Sequence, residues 1–443
     1  MQLVVRIVLT SVVVFVHSLA VAGEKRLIDI DDYFTQAFIV ECEMAPSGEY
    51  VAYVELRWEP PRESRNADLW LVNVKTQETR RLTFESASDS SPTWSLDSKQ
   101  LYFTSRRKRD DNQAPYNGKT QVFRLDIGSG QITPITRVGD GIDAFELSKD
   151  GNTLYYSVTD DTKGGPWASL RKAHQSVEYG VGERNITEIW KVDLKSWRTS
   201  KVVDEKKYIH EFAVSPDEKQ IAIITTYDDL LITHEGSSQV DLYNVETKKT
   251  TKVKDDLWRK FETDRHGWLE HPVWSPDGTR IAFRVDYDGY PAEVFCADVT
   301  KPQVWQVKRP AGVSIYGGDL HWEDDCICFL GDVRARTHVY RACDVKDGSQ
   351  GETVALTKGD HVVFDYSMAS DGALCVLKSD PTSGRDLFLV KKATELMPLT
   401  DTNPQMEEWK LPQISLVKWK GANGDVVEGI LELPPDYKKS DGK

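Results

Sequence analysis

The sequence predicts an all-β protein: a seven-bladed β-propeller followed by a C-terminal hairpin. Three observations carry the prediction. A Ser-Pro-Asp-Gly turn leads into an alternating strand, the unit recurs at near-constant spacing, and helical periodicity is scarce. The clearest copy is HPVWSPDGTRIAFRVD, residues 271–286. Pro and Gly preset the turn dihedrals, and the Asp side chain can cap the turn. Related copies are EMAPSGEYVAYVE from Glu43, PTWSLDSKQLYFTS from Pro92, AFELSKDGNTLYYSV from Ala144 and EFAVSPDEKQIAIIT from Glu211, with weaker ones from Leu320 and Tyr366.

The positions equivalent to the proline are Pro46, Leu96, Lys149, Pro216, Pro276, Glu323 and Ser370, which lie 47 to 67 residues apart. Each copy is followed by another strand of the type DLWLVNV or EIWKVDL, and most by one more, such as TRRLTF. Three to four short strands per unit, repeated, is how propeller blades read in sequence. Stacked β-sandwiches would also be all-β, but they do not require one turn motif at near-constant spacing. The blades are assigned to residues 23–400 and helix to short candidates such as Asp255 to Phe261.

Ahead of the blades, MQLVVRIVLTSVVVFVHSLAVAGEKR has the layout of a secretory signal peptide, residues 1–22. Arg6 supplies a basic start, Ile7 to Val16 an apolar core, and Ala20-Val21-Ala22 a small-residue site for cleavage between Ala22 and Gly23. The apolar run is shorter than the ~20 residues of a spanning helix. The expectation is an exported chain, periplasmic or extracellular, with no membrane attachment after cleavage.

The formal net charge of −14 and a pI near 5.2 argue against nucleic acid as a partner, because binding phosphate needs an excess of Lys and Arg. The one compact basic run, Arg106 to Arg109, reads as a solvated hairpin tip. Six cysteines are too few for a disulfide scaffold. One pair is a candidate bridge: a symmetric hairpin centred on Arg334 and Ala335 sets Cys326 opposite Cys343, within disulfide reach, the alternative being two buried thiols. Cys326-Ile327-Cys328 is not a metal motif, and Asp286 and Asp288 before Gly289 fall short of a calcium loop. No metal or cofactor is predicted.

Residues 413–437, QISLVKWKGANGDVVEGILELPPDY, alternate around Asn423-Gly424 as a hairpin. With the WSPDG-type blades, this segment resembles the N-terminal half of a prolyl oligopeptidase family serine peptidase, of acylaminoacyl-peptidase or dipeptidyl-peptidase type. The blade motif alone is shared with other propellers, TolB-like periplasmic proteins among them; the closing segment is more specific. The resemblance implies that residues 401–443 are a linker and the first strands of an α/β-hydrolase domain whose catalytic part is absent here. No G-x-S-x-G nucleophile elbow occurs: Gly312-Val313-Ser314 meets Tyr316, and Gly236-Ser237-Ser238 meets Val240. No catalytic residue is therefore assigned.

The implied function is a propeller that gates an exported peptidase, with short peptides as substrates and the hydrolase half as partner; oligomeric state is left open. The alternative is a complete, non-enzymatic TolB-like propeller that binds a protein. In the third unit, residues 159–187 are too long for a hairpin loop and read as a functional loop. If that loop faces the catalytic half, Glu178 and Glu183 are candidates to pair with a substrate α-amino group.

Overall fold

Each repeat turn is held by its own side chains. The computed structural model describes residues 24–438 and 440, except 162–171, 175–184, 227–237, 261–266, 288, 316, 347 and 350. Ser275 Oγ donates to Asp277 Oδ1 at 2.6 Å and accepts the Arg280 N–H at 3.0 Å, while Asp277 accepts the Thr279 N–H at 3.0 Å. Ser95–Asp97, Ser148–Asp150 and Ser215–Asp217 repeat the Ser-to-Asp bond at 2.7, 2.7 and 2.8 Å. The next residue is left-handed each time, with φ of +69° at Gly278, +68° at Gly151 and +58° at both Ser98 and Glu218. Glycine meets that demand without strain, which is why the best copies end in Asp-Gly.

Strands leave and enter these turns in antiparallel order. Phe38–Met44, Tyr50–Glu59, Ser64–Asn73 and Thr79–Arg81 pair in chain sequence as the first four-stranded ladder. Six further ladders of the same order follow, spanning 89–134, 145–203, 209–252, 268–306, 321–355 and 362–398. We number these blades one to seven. Short bridges at Ser314–Ile315 and at Thr337–Val362 also join the last three side by side. Helix among the described residues is confined to short pieces, among them one turn at Ile30–Tyr33 and 3-10 turns at Trp258–Lys260 and Pro404–Glu408.

The core lies between blades. Side chains alternate across a strand, so successive residues feed different neighbours. Leu154 and Tyr156 pack with Tyr102 and Val122 of blade two, whereas Tyr155 between them packs with Ile221 and Ile223 of blade four. Both strand faces are thus buried, and the middle strands read as nearly continuous apolar runs. The same arrangement proceeds around the ring until Met44 and Tyr53 of blade one meet Cys375, Leu377 and Leu387 of blade seven. Among the described residues blade seven is built entirely from 362–398, and packing and hydrogen bonds join it to blade one.

One expectation is corrected here. Arg106 to Arg109 is not a solvated tip throughout, because Arg107 is buried, 3.2 Å from the buried Asp89, with its guanidinium over the rings of Phe103 and Phe123 at 5.3 and 4.9 Å. Its neighbour Arg109 reaches Glu85 at 2.6 Å. Composition marked a basic run, but alternation along the chain turned one member into the core.

Candidate functional site

In a four-stranded antiparallel blade the first-to-second and third-to-fourth turns share one end. The opposite end carries the second-to-third loops and the connections to the next blade. The tight Ser-x-Asp turns occupy the first end, so the longer connections, among them those between 105 and 121 and between 161 and 185, leave from the other. Loops positioned by a rigid scaffold are where binding function concentrates.

The C-terminal hairpin is seated on that loop-bearing face. Gln413–Lys420 pairs with Val426–Leu433, and the Gly421 N–H donates to the Asp425 carbonyl at 2.8 Å across a turn in which Gly424 has φ +83°. Glu428 anchors it, meeting Lys418 of its own hairpin at 2.7 Å and, from the second-to-third loop of blade six, Arg334 at 2.5 Å and Arg336 at 3.4 Å. The Lys418 hydrogen bond, aided by both arginines, holds the Glu428 carboxyl below its ordinary range.

Between the hairpin and blades six and seven lies a cleft of about 710 Å³, lined by Arg336, His361, Pro381, Ile414, Leu416 and Ile430 among others. Burial pushes the His361 imidazole down to about 4, and its Nε2 has no hydrogen-bond partner among the described residues. Apolar side chains of the hairpin are open to solvent on both its faces, Trp419 and Leu431 on the outer one and Val426 and Ile430 on the one that carries Glu428. The first described residues join it: Arg26 pairs through its backbone with Glu408 and Lys410, and Leu27 and Ile28 border a cleft with Leu433 and Pro434.

The ring axis is lined by acids from the innermost strands. Asp365 of blade seven accepts the Cys42 N–H of blade one at 2.8 Å, Glu41 accepts the Ser91 N–H of blade two at 2.7 Å, Glu146 of blade three accepts the Val214 N–H of blade four at 2.9 Å, and Glu211 accepts the His271 N–H of blade five at 2.8 Å. At three of these positions, Glu41, Glu211 and Asp365, the acid stands beside a β-bulge that turns the strand off its partner. Burial pushes Glu43 and Glu146 up to about 8 and Asp365 up to about 7. Asp319 behaves oppositely, held low by the His271 Nδ1 at 2.7 Å, and it remains open to axial solvent. These carboxyls latch neighbouring blades to one another.

The sequence-predicted residues fall as follows. Glu178 and Glu183 lie outside the described residues, as do Ala22 and Gly23. Cys326 and Cys343 are joined, S–S 2.08 Å, with Ile327 opposite Ala342 in the register of the adjoining strands. Asp286 is paired with Arg284 at 2.9 Å, and Asp288 is outside the described residues. Among the described residues no three His, Cys, Asp or Glu side chains converge as metal ligands. Sequence reading missed the axial acids, although each stands a few residues ahead of a turn motif, as Glu146 does before Ser148 and Glu211 before Ser215.

No protein-family profile matches the chain. It is 23% identical over 227 residues to an uncharacterized peptidase, YuxL, of Bacillus subtilis, a stretch that covers 48% of this chain and 33% of that protein. An acylaminoacyl peptidase solved with Z-Gly-Gly-Phe-chloromethyl ketone superposes with a TM-score of 0.68 at 15% identity, over 93% of this chain and 60% of its own. The β-propeller domain of the trilobed protease from Pyrococcus furiosus, described as having an open velcro topology, superposes with a TM-score of 0.57 at 18% identity, over 83% of this chain and 99% of its own. Among the described residues, the last blade of this chain takes no strand from the N-terminal segment. The chain therefore carries the β-propeller fold found in prolyl oligopeptidase-type peptidases.

Proposed function

We propose that this chain is the gating propeller of an exported serine peptidase that acts on short peptides, with the hairpin as the first strand pair of the α/β-hydrolase half. The observation that carries the reading is the hairpin itself. It is fixed to the loop-bearing face through Glu428 yet leaves apolar side chains of both its faces in solvent, Trp419 and Leu431 on one and Val426 and Ile430 on the other, as suits a strand pair within a continuing, covered sheet. A closed ring over a catalytic cleft excludes folded proteins by size and admits short peptides. Asp319, ionised and open to solvent, would favour a peptide's cationic N-terminus over a blocked, neutral one. A TolB-like binding module has no use for such a hairpin after its last blade.

Catalysis would come from the hydrolase half, where a Ser activated by His attacks the acyl carbon and backbone N–H groups stabilise the oxyanion. The test compares residues 23–443 with a longer product of the same gene. A fluorophosphonate probe should leave the former unlabelled. The longer product should be labelled at one Ser and should cleave short peptides while sparing folded proteins. Labelling of residues 23–443 linked to hydrolysis, or a longer product that remains unlabelled, would refute the reading.

A further inference from the structure

We propose that the cleft between the C-terminal hairpin and blades six and seven binds a small apolar carboxylate, with Arg336 and His361 as its polar anchors and Ile414, Leu416 and Ile430 as its apolar wall. Leu416 stands opposite Ile430 in the hairpin register and Ile414 two residues before Leu416, so all three share the face that carries Glu428. Val362 and Pro381 line the cleft from blade seven. A cavity of this size, mostly apolar with a few placed polar groups, is what a small-molecule site requires.

The polar end is incomplete without a ligand. His361, in the connection from blade six to blade seven, is 7% exposed, yet its Nε2 has no hydrogen-bond partner among the described residues. Burial, aided by His338 and Lys378, keeps the imidazole neutral, so the ring offers one N–H donor and one acceptor. A buried polar atom left unpaired is costly, and a ligand oxygen in the cleft relieves that cost.

Charge selects which oxygen. The ion-pair cluster at this end holds three cations, Arg334, Arg336 and Lys418, but only two carboxylates, Glu428 and Asp360. On the other wall Lys378 and Asp380 cancel at 3.2 Å, and Glu432, farther along the hairpin, borders the separate cleft of Lys410. One positive charge is in excess, which suits a monocarboxylate. Arg336 gives its Nε to Asp360 at 2.7 Å, and that aspartate is 73% exposed, so a ligand carboxylate competes with a largely hydrated partner. It would accept from the Arg336 guanidinium and from the His361 Nε2–H while its apolar body displaces water from the hairpin. The same chemistry ends a peptide with an apolar last residue and a free fatty acid. The site stands on the cleft alone and not on the peptidase reading.

The test titrates the purified chain with N-acetyl-leucine, with its neutral amide and with hexanoate, read by calorimetry and by the imidazole 15N shifts of His361, assigned from the His361→Gln spectrum. Both acids should bind at one site, roughly tenfold tighter than the amide, as a charge-assisted bond is worth, and should move the ring towards its Nε2–H form. Asp360→Asn frees Arg336 of its exposed competitor and should tighten both acids several-fold without changing the amide. Ile430→Asp, at an exposed position, should abolish binding of all three. N-acetyl-leucine ahead of hexanoate assigns a peptide C-terminus and the reverse order a fatty acid, and either upholds the site. Acids that bind no better than the amide, His361 shifts that stay fixed, or Asp360→Asn without effect on the acids would overturn the proposal. So would binding that survives Ile430→Asp.

Discussion

The N–H of Cys42 donates to Asp365 Oδ2 at 2.8 Å, joining residues 323 positions apart in the chain and the first blade to the last. Beside it Ser367 Oγ accepts the Met44 N–H and donates to Glu43 Oε2, each at 2.9 Å. The ends of the ring are thus tied through carboxyls that stand in a largely dry seam. An ionised carboxylate loses hydration there and gains only neutral donors, so burial keeps both acids protonated over an unusual range.

That places the seam under pH control. Glu43 is raised to about 8 and Asp365 to about 7, each by burial first and then by neighbouring acids, including Asp319. A raised carboxyl binds more protons folded than unfolded, so its contribution is complete below the ordinary carboxylate range and is lost as pH climbs through the folded value. Tm should therefore fall by a few degrees between pH 6 and pH 9. Glu43→Gln keeps an acceptor for Ser367 without a titrating proton and should flatten that fall. A wild-type profile level over this range, measured by calorimetry, would contradict the assignment.

The buried pair of Arg107 and Asp89 should be the most sensitive charged contact of blade two. Their side chains are 5% and 0% exposed, and the arginine also covers two phenylalanine rings. Removing one member strands the other charge, at a cost of about 3–5 kcal/mol. Arg107→Met should lower the denaturation midpoint accordingly, and adding Asp89→Asn should restore much of the loss. If the double variant is as unstable as the sum of its singles, the packing over Phe103 and Phe123 dominates and the ion pair does not.

Much of this fold was legible because its determinants are local. The Ser-x-Asp bonds span two residues, and hairpin symmetry alone set Cys326 opposite Cys343. Arg107 was misread because charge density says nothing about which face of a strand a residue takes. The axial latches were not legible at all. Glu41 and Ser91 meet only because a bulge and a neighbouring blade bring them together, and no spacing within either repeat records that. Glu178 and Glu183 rested on loop length, which marks where function concentrates without choosing a side chain.

The turn itself can be divided into its two demands. Gly278 has φ +69°, and an added Cβ would meet only Pro216 at 3.5 Å, an ordinary contact, so Gly278→Ala should cost the dihedral penalty of about 1–2 kcal/mol. Ser275 is fully buried, and its hydroxyl serves both Asp277 and the Arg280 N–H. Its replacement by Ala leaves that N–H unsatisfied, at roughly 1–3 kcal/mol. Denaturant midpoints should therefore place Ser275→Ala at or below Gly278→Ala. A clear reversal would mean that backbone geometry, and not the hydroxyl, selects the motif.

The hairpin provides the last prediction. An isolated pair of strands is marginal in water, and among the described residues Gln413–Lys420 with Val426–Leu433 has no third strand. Its attachment to blade six runs through Glu428 to Arg334 and Arg336, and the Arg334 side chain is 53% exposed, so salt should screen the tie. Amide exchange over residues 413–433 should accordingly be faster than in blade six, faster still in 1 M salt, and fastest in Glu428→Ala, while blades one to five keep their protection. Within the hairpin, Gly429 lies under the Trp419 ring, where an added Cβ would stand 2.9 Å from it, so Gly429→Ala should displace the ring and speed exchange locally. Should exchange in 413–433 match blade six and ignore both salt and Glu428→Ala, the hairpin would be an integral part of the propeller, and its solvent-facing apolar residues would no longer argue for a sheet that continues.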